Sequence, residues 1–177
     1  MKNQNTNKTA VKYKEWIINA FFELLKEYTY EEITVKQIIL QADVSRQTFY
    51  RHFNDKDDIV RYYNTLLSKE LSSKLSVLKE NSLYSILLCY FTFWDTHVDI
   101  LNLLKNNDCE YYYNELMYKT MDMLKVHFSG YSEREFNLIK SFLIGGLYKI
   151  NIDWLMMDDR ETPEEIAHLL CKYIRQG

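Results

Sequence analysis

Between Ser45 and Phe53 the chain reads Ser-Arg-Gln-Thr-Phe-Tyr-Arg-His-Phe. These residue types, on one short helix, suit contact with duplex nucleic acid. Arg46 can pair bidentately with guanine and Gln47 with adenine, and the Thr48 methyl can meet a thymine methyl. Tyr50, Arg51, His52 and the nearby Lys56 are suited to phosphate oxygens, as are backbone amides at helix starts near Thr34 and Lys56. On a surface helix with no further context, Arg46, Gln47 and His52 would be ordinary solvated residues. What distinguishes this run is Phe49 and Phe53, four apart, which turn one face of the helix inward and leave the polar N-terminal edge outside.

The flanking residues supply the elements that would position this helix. Trp16, Ile17, Ala20, Phe21, Leu24 and Leu25 recur at helical spacing, predicting an amphipathic helix over 11–28. Thr34-Val35-Lys36-Gln37 is a capping box, with Ile38, Ile39 and Ala42 forming the apolar face of the short helix it opens. Asp43 is expected to end that helix in a left-handed conformation, which Asp tolerates better than most residues. Ser45 is the N-cap of the third helix. Asp55 restarts a long fourth helix marked by Ile59, Tyr62, Tyr63, Leu66, Leu67, Leu71, Leu75 and Leu78. Two short helices joined by a tight turn, with Ile38, Ala42, Val44, Phe49 and Phe53 between them, have the dimensions of a helix-turn-helix.

The string from Ile33-Thr34-Val35 through Ala42-Asp43-Val44-Ser45-Arg46 to Thr48-Phe49-Tyr50-Arg51-His52-Phe53 and Asp55-Lys56 resembles the N-terminal domain of the tetracycline-repressor (TetR/AcrR) family. That resemblance implies an all-helical homodimer with a three-helix DNA-binding head and a divergent ligand-binding body. By position it places Thr34, Ser45, Tyr50, His52 and Lys56 on phosphates and Arg46, Gln47 and Thr48 on bases. Two departures stand out: the glycine usual near Thr29 is absent, and Asp43 occupies the turn position where glycine is commonest.

The rest of the chain agrees with an all-α protein of about nine helices. One proline and four glycines in 177 residues are too few for a turn-rich β architecture. Further helices are predicted over 83–97, 99–105 and 111–128. A second capping box, Ser132 to Glu135, opens a helix reaching about Met157, and Thr162-Pro163-Glu164-Glu165 opens the last. The natural division is a head over 1–56 and an effector-binding and dimerisation body over 57–177.

Charge is nearly balanced in the first 63 residues, ten basic against nine acidic, while the remainder is acidic, twelve against sixteen. Overall acidity does not exclude DNA binding, because phosphate contacts depend on local placement. Cys89, Cys109 and Cys171 have no paired spacing, and no secretory signal or bilayer-length apolar run is present, so a cytoplasmic protein without membrane contact is expected. The four histidines lie apart, and no phosphate loop, nucleophile elbow or acid/base constellation appears; neither enzyme activity, a metal nor a cofactor is expected.

In the body, Phe142-Leu143-Ile144-Gly145-Gly146-Leu147, followed by Trp154-Leu155 and Thr162 to Ile166, is similar to family members whose last two helices form the dimer interface. Gly145, Gly146, Lys149, Trp154, Ile166 and Leu170 are the candidates for that seam. The paired glycines suit close approach of a partner helix, or else a gap that a ligand makes. Phe91, Trp94, Tyr112, Met117 and Met121 are the candidates for a pocket taking a small apolar or aromatic effector. The expected function is an effector-responsive transcription repressor, bound as a homodimer to a palindromic double-stranded operator. The alternative is a family-like co-regulator that works through a protein partner without a small molecule.

Overall fold

The computed structural model describes residues 2–80, 82–100, 111–123, 125 and 130–174. Among them the regular structure is helical: α1 (Lys2–Leu24), α2 (Val35–Gln41), α3 (Arg46–His52), α4 (Lys56–Ser76), α5 (Leu83–Asp95), α6 (Tyr111–Met123), α7 (Glu133–Leu155) and α8 (Pro163–Ile174). Residues 98–100 are helical too. The remainder of the helix expected over 99–105, and the end of the one expected over 111–128, lie outside the described residues. The chain divides into two compact units, one of residues 1–64 with 100–112, the other of 65–99 with 113–177.

In the first unit α1 begins well before Val11, at Lys2, and stops at Leu24 rather than Tyr28. Its last amides tighten to three-residue bonds, Lys26 N to Glu23 O and Glu27 N to Leu24 O. Beyond them the Glu32 carboxylate accepts from both the Thr29 amide and hydroxyl at 2.9 Å. That pair of donors holds Glu32 below the usual carboxylate range and supplies a turn where a glycine was expected. Ile17, Phe21, Ile38, Phe49, Phe53 and Ile59 are fully or almost fully buried together.

Tyr112 closes this core. Its hydroxyl lies 3.1 Å from that of Tyr30, which donates to Asp57, and its carbonyl accepts from Asn64 Nδ2 at 2.7 Å. Burial is the main reason that both tyrosines resist ionisation.

The short helices follow their caps. Thr34 Oγ1 accepts from the Gln37 amide while the Gln37 side chain accepts from the Thr34 amide, closing the box. The Asp55 carboxylate accepts from the Asp58 amide at 2.8 Å. Asp43 has φ 50°, the one left-handed non-glycine among the described residues. A Cβ in that region is strained, by roughly 1 kcal/mol. Asp43→Gly is therefore expected to move the urea midpoint upward at unchanged m-value, part of the gain being offset by the freer unfolded chain. A midpoint lowered by the full cost of the added chain freedom would show the turn to be unstrained.

In the second unit α5 packs chiefly on α8 and also on α7. Tyr90, Phe91 and Trp94 face the interior with Trp154, Leu155 and Ile166, and the Phe91 and Trp154 rings meet edge-on at 5.2 Å. The Trp154 indole donates to Glu161 O at 2.8 Å. Ser132 and Glu135 form the capping box of α7, and the same exchange between Thr162 and Glu165 opens α8. Some buried polar groups are bonded within the unit: Ser68 and Thr120 both donate to the Leu116 carbonyl, and Asn151 Nδ2 donates to the Tyr113 hydroxyl at 3.5 Å, whereas Asn151 Oδ1 meets no donor among the described residues.

Candidate nucleic-acid interface

The turn between α2 and α3 is closed by main-chain bonds from Asp43 N to Leu40 O and Val44 N to Ile39 O. Ser45 then caps α3 through its Oγ, which accepts from the Thr48 amide at 3.0 Å. Phe49, 0% exposed, and Phe53, 2%, anchor one side of α3. Their rings lie 6.2 Å apart.

On the other side Arg46, Gln47, Tyr50 and Arg51 are exposed. The Arg46 guanidinium sits 5.5 Å from the centre of the Tyr50 ring, which limits where it can swing without tying up its donors. Ser45 and Thr48 share their hydroxyls at 2.9 Å. Thr48 therefore offers outward mainly its methyl, and a phosphate contact from Ser45 would share an oxygen already used as a cap. Thr34 is exposed at the start of α2.

His52 is half-buried beside Tyr13, ring centres 6.1 Å apart. Burial pulls its pKa below the ordinary 6.5, and the Lys14 and Arg51 charges act in the same direction. At neutral pH the imidazole is uncharged, so it would meet a phosphate as a neutral hydrogen-bond donor. The unfolded chain takes up a proton below about pH 6.5, and the folded head resists that uptake. The stability in question is thus present above this pH and lost as the pH falls. His52→Gln is expected to lose less stability between pH 7.5 and 5.5 than the parent; equal losses would contradict the assignment.

Lys56 is placed differently from the sequence expectation. Its ammonium folds back onto the carbonyls of Tyr30 at 2.5 Å, Ile33 at 3.2 Å and Glu31 at 3.4 Å. It also lies 4.3 Å from the Tyr30 ring centre. The side chain is a brace for the 30–33 turn. Lys14, which sequence reasoning did not single out, sits 3.9 Å from the Tyr62 ring centre and adds positive charge beside His52. Nothing local to Lys14 signals this, because its partners are some forty to fifty residues away.

The expected effector residues divide between the two units. Tyr112 belongs to the core of the first unit, while Phe91, Trp94, Met117 and Met121 are buried in the second. A cavity of about 480 Å³ lies beside α5, and none of the five lines it. The expected seam residues also divide. Gly145, Gly146 and Lys149 are exposed and Leu170 is half-buried. Trp154, at 1% exposure, and Ile166, at 6%, are core residues of their own unit and present no surface to a partner.

Residues 17–63 match the family model described as bacterial regulatory proteins, tetR family, and residues 81–176 match a TetR-type model described as transcriptional regulator C-terminal region. The chain belongs to the TetR family. A TetR transcriptional regulator from Streptococcus agalactiae 2603V shares its fold with a TM-score of 0.70 at 22% identity, over 98% of this chain and 97% of that one. NalD, the secondary repressor of the MexAB-OprM multidrug efflux pump in Pseudomonas aeruginosa, aligns with a TM-score of 0.66 at 21% identity, over 96% and 97%. The dihydroxyacetone kinase operon activator DhaS aligns at 0.58 and 16% identity, over 94% and 96%. No curated protein sequence matches. This TetR-family chain is thus a DNA-binding transcriptional regulator, and none of its described helices is long and apolar enough to cross a membrane.

Proposed function

We propose that this regulator is a cytoplasmic, homodimeric repressor that releases a palindromic operator when a small effector binds its body. The observation that carries the reading is α3, fixed from behind by Phe49 and Phe53 with its Arg46–Gln47 edge open to solvent. Arg46, Gln47 and Thr48 address bases. Thr34, Ser45, Tyr50, Arg51 and His52, with the amide of Lys56, hold phosphates. Two heads related by a two-fold axis would enter successive major grooves roughly 34–36 Å apart. An effector acts only if it binds the DNA-releasing arrangement more tightly than the other. Selection of sites from random duplexes with purified protein should return an inverted repeat with half-sites about one helical turn apart. Recovery of unrelated or unrepeated sequences would defeat the reading.

Support for the dimer comes from one face of α7. Leu138, Phe142 (77% exposed), Gly145, Gly146 and Lys149 lie along it in the open, and Leu169 and Tyr173 of α8 are exposed as well. A Cβ added at Gly145 or Gly146 meets nothing within 4 Å in the same chain. The glycines thus have no steric purpose within the protomer, although each costs a helix about 1 kcal/mol relative to alanine. Close approach of a partner helix supplies one. Gly146→Ala is expected to strengthen the helix by about 1 kcal/mol while shifting sedimentation toward monomer. Dimerisation at parent strength would move the seam elsewhere.

A further inference from the structure

We infer that the interior of the second unit binds a neutral aromatic molecule bearing a hydroxyl, held by the Trp94 indole and the Asn151 carboxamide. That this molecule is the effector rests on the effector-responsive reading above. Four polar side chains from three helices meet inside this unit: Tyr90 and Trp94 of α5, Tyr113 of α6 and Asn151 of α7. Their hydrogen bonds run one way. Asn151 Nδ2 donates to the Tyr113 hydroxyl at 3.5 Å, Tyr90 donates its single hydroxyl proton to Leu147 O at 3.4 Å, and Tyr113 therefore donates to Tyr90. Two atoms are left over. Among the described residues Asn151 Oδ1 has no donor and the Trp94 N–H has no acceptor. The Trp94 N–H acts on the Tyr90 hydroxyl, opposing the rise in pKa that burial causes, but is not aligned to bond it. Asn151 is 0% and Trp94 2% exposed, so bulk water pairs neither. Buried polar groups are nearly always paired, and two orphans on one hydrogen-bonded chain point to a partner from outside the protein.

The surroundings select the chemistry of that partner. Burial, followed by the neighbouring tyrosines, raises the pKa of Tyr90 and Tyr113, and no carboxylate or cation among the described residues acts on either hydroxyl. An ionic ligand would lie here without a counter-charge, at a heavy desolvation cost. A hydroxyl is the neutral group that serves both orphans: its oxygen accepts from the Trp94 N–H and its proton goes to Asn151 Oδ1. Turning the Asn151 amide over replaces the orphan acceptor by unpaired N–H donors, which a hydroxyl oxygen meets equally well. Aromatic rings supply the walls. Trp94 and Tyr113 lie 4.8 Å apart at 37°, and Tyr113 and Tyr148 4.8 Å apart at 49°. A further ring extends this tilted series by offset stacking, whereas a water molecule offers the same oxygen and nothing to the rings.

Phenol and toluene, nearly equal in shape, serve as probes on the full chain with its three tryptophans labelled at the indole nitrogen. Trp94→Phe assigns the Trp94 N–H resonance, and that of Trp154, which donates to Glu161 O, is the internal control. Phenol is expected to move the Trp94 proton resonance downfield and to bind about tenfold more tightly than toluene, the value of one well-made buried hydrogen bond. Asn151→Leu should erase that preference and leave toluene binding unchanged, whereas a purely structural Asn151 would move stability and not selectivity. Trp94→Phe should do the same, which keeps the test decisive where Asn151→Leu does not fold. Equal affinity for the two probes, full selectivity in both variants, or an unmoved Trp94 resonance at millimolar phenol would overturn the site and leave water as the partner of these atoms. Operator affinity, measured separately, addresses the effector reading. A Trp94 shift with no operator release removes the effector role and leaves the site standing; operator release with the Trp94 resonance unmoved removes the site and leaves the effector reading.

Discussion

Phe49→Ala is expected to destabilise the DNA-binding head by about 3–5 kcal/mol, the usual cost of removing a fully buried phenylalanine. Phe49 is wholly enclosed, its ring edge-on to Tyr50 at 5.4 Å and near Phe53, in a cluster with Ile17, Phe21 and Ile38. Small domains have only about 5–15 kcal/mol of stability in total, so such a loss would leave a substantial fraction of heads unfolded near body temperature. Operator binding should fall with it, for a reason unrelated to any base contact. Phe49→Leu keeps most of the apolar volume and should restore much of the stability and the binding together. Urea unfolding and operator titration on the three proteins decide the matter. Parent stability in Phe49→Ala would show that α3 is not held from within, and with it would go the geometric basis of the interface.

The second large effect is one of recognition. Arg46→Ala and Gln47→Ala are each expected to weaken operator binding by about 1–3 kcal/mol and to relax preference at one base position. Both side chains are exposed and neither supports the core, so unfolding curves should stay at the parent position. Arg51→Ala provides the contrast. As a phosphate contact it should weaken all duplexes alike and reduce the salt slope by about one. If Arg46 and Gln47 variants lost affinity uniformly over sequence, they would be phosphate contacts, and base reading would have to come from elsewhere on the head.

The relation between chain and fold is uneven along the molecule. The Thr34–Gln37 and Ser132–Glu135 boxes, the Ser45 and Asp55 caps, and the left-handed Asp43 were all legible because each depends on residues three or four positions apart. The inward turn of Phe49 and Phe53 follows from the same spacing. These local rules were enough to specify the short helices, the direction each faces and the family of the chain. They did not extend to α1, whose polar start is helical and whose end is set by the Thr29–Glu32 turn.

Tertiary structure alone decided the partners of long side chains and of symmetric-looking helices. Lys56 reads as a free cation until the carbonyls of residues 30–33 are brought within its reach. Tyr112 stands in a run of three tyrosines, yet its hydroxyl meets Tyr30, 82 residues away. Trp154 and Ile166 share the seam's sequence neighbourhood but face inward, and α5 turns its aromatic side to the core while a cavity opens on the other. Capping and amphipathic period are set by neighbours within one helical turn, whereas the choice of which apolar stripe meets which, and what space is left between, is made only when distant segments pack.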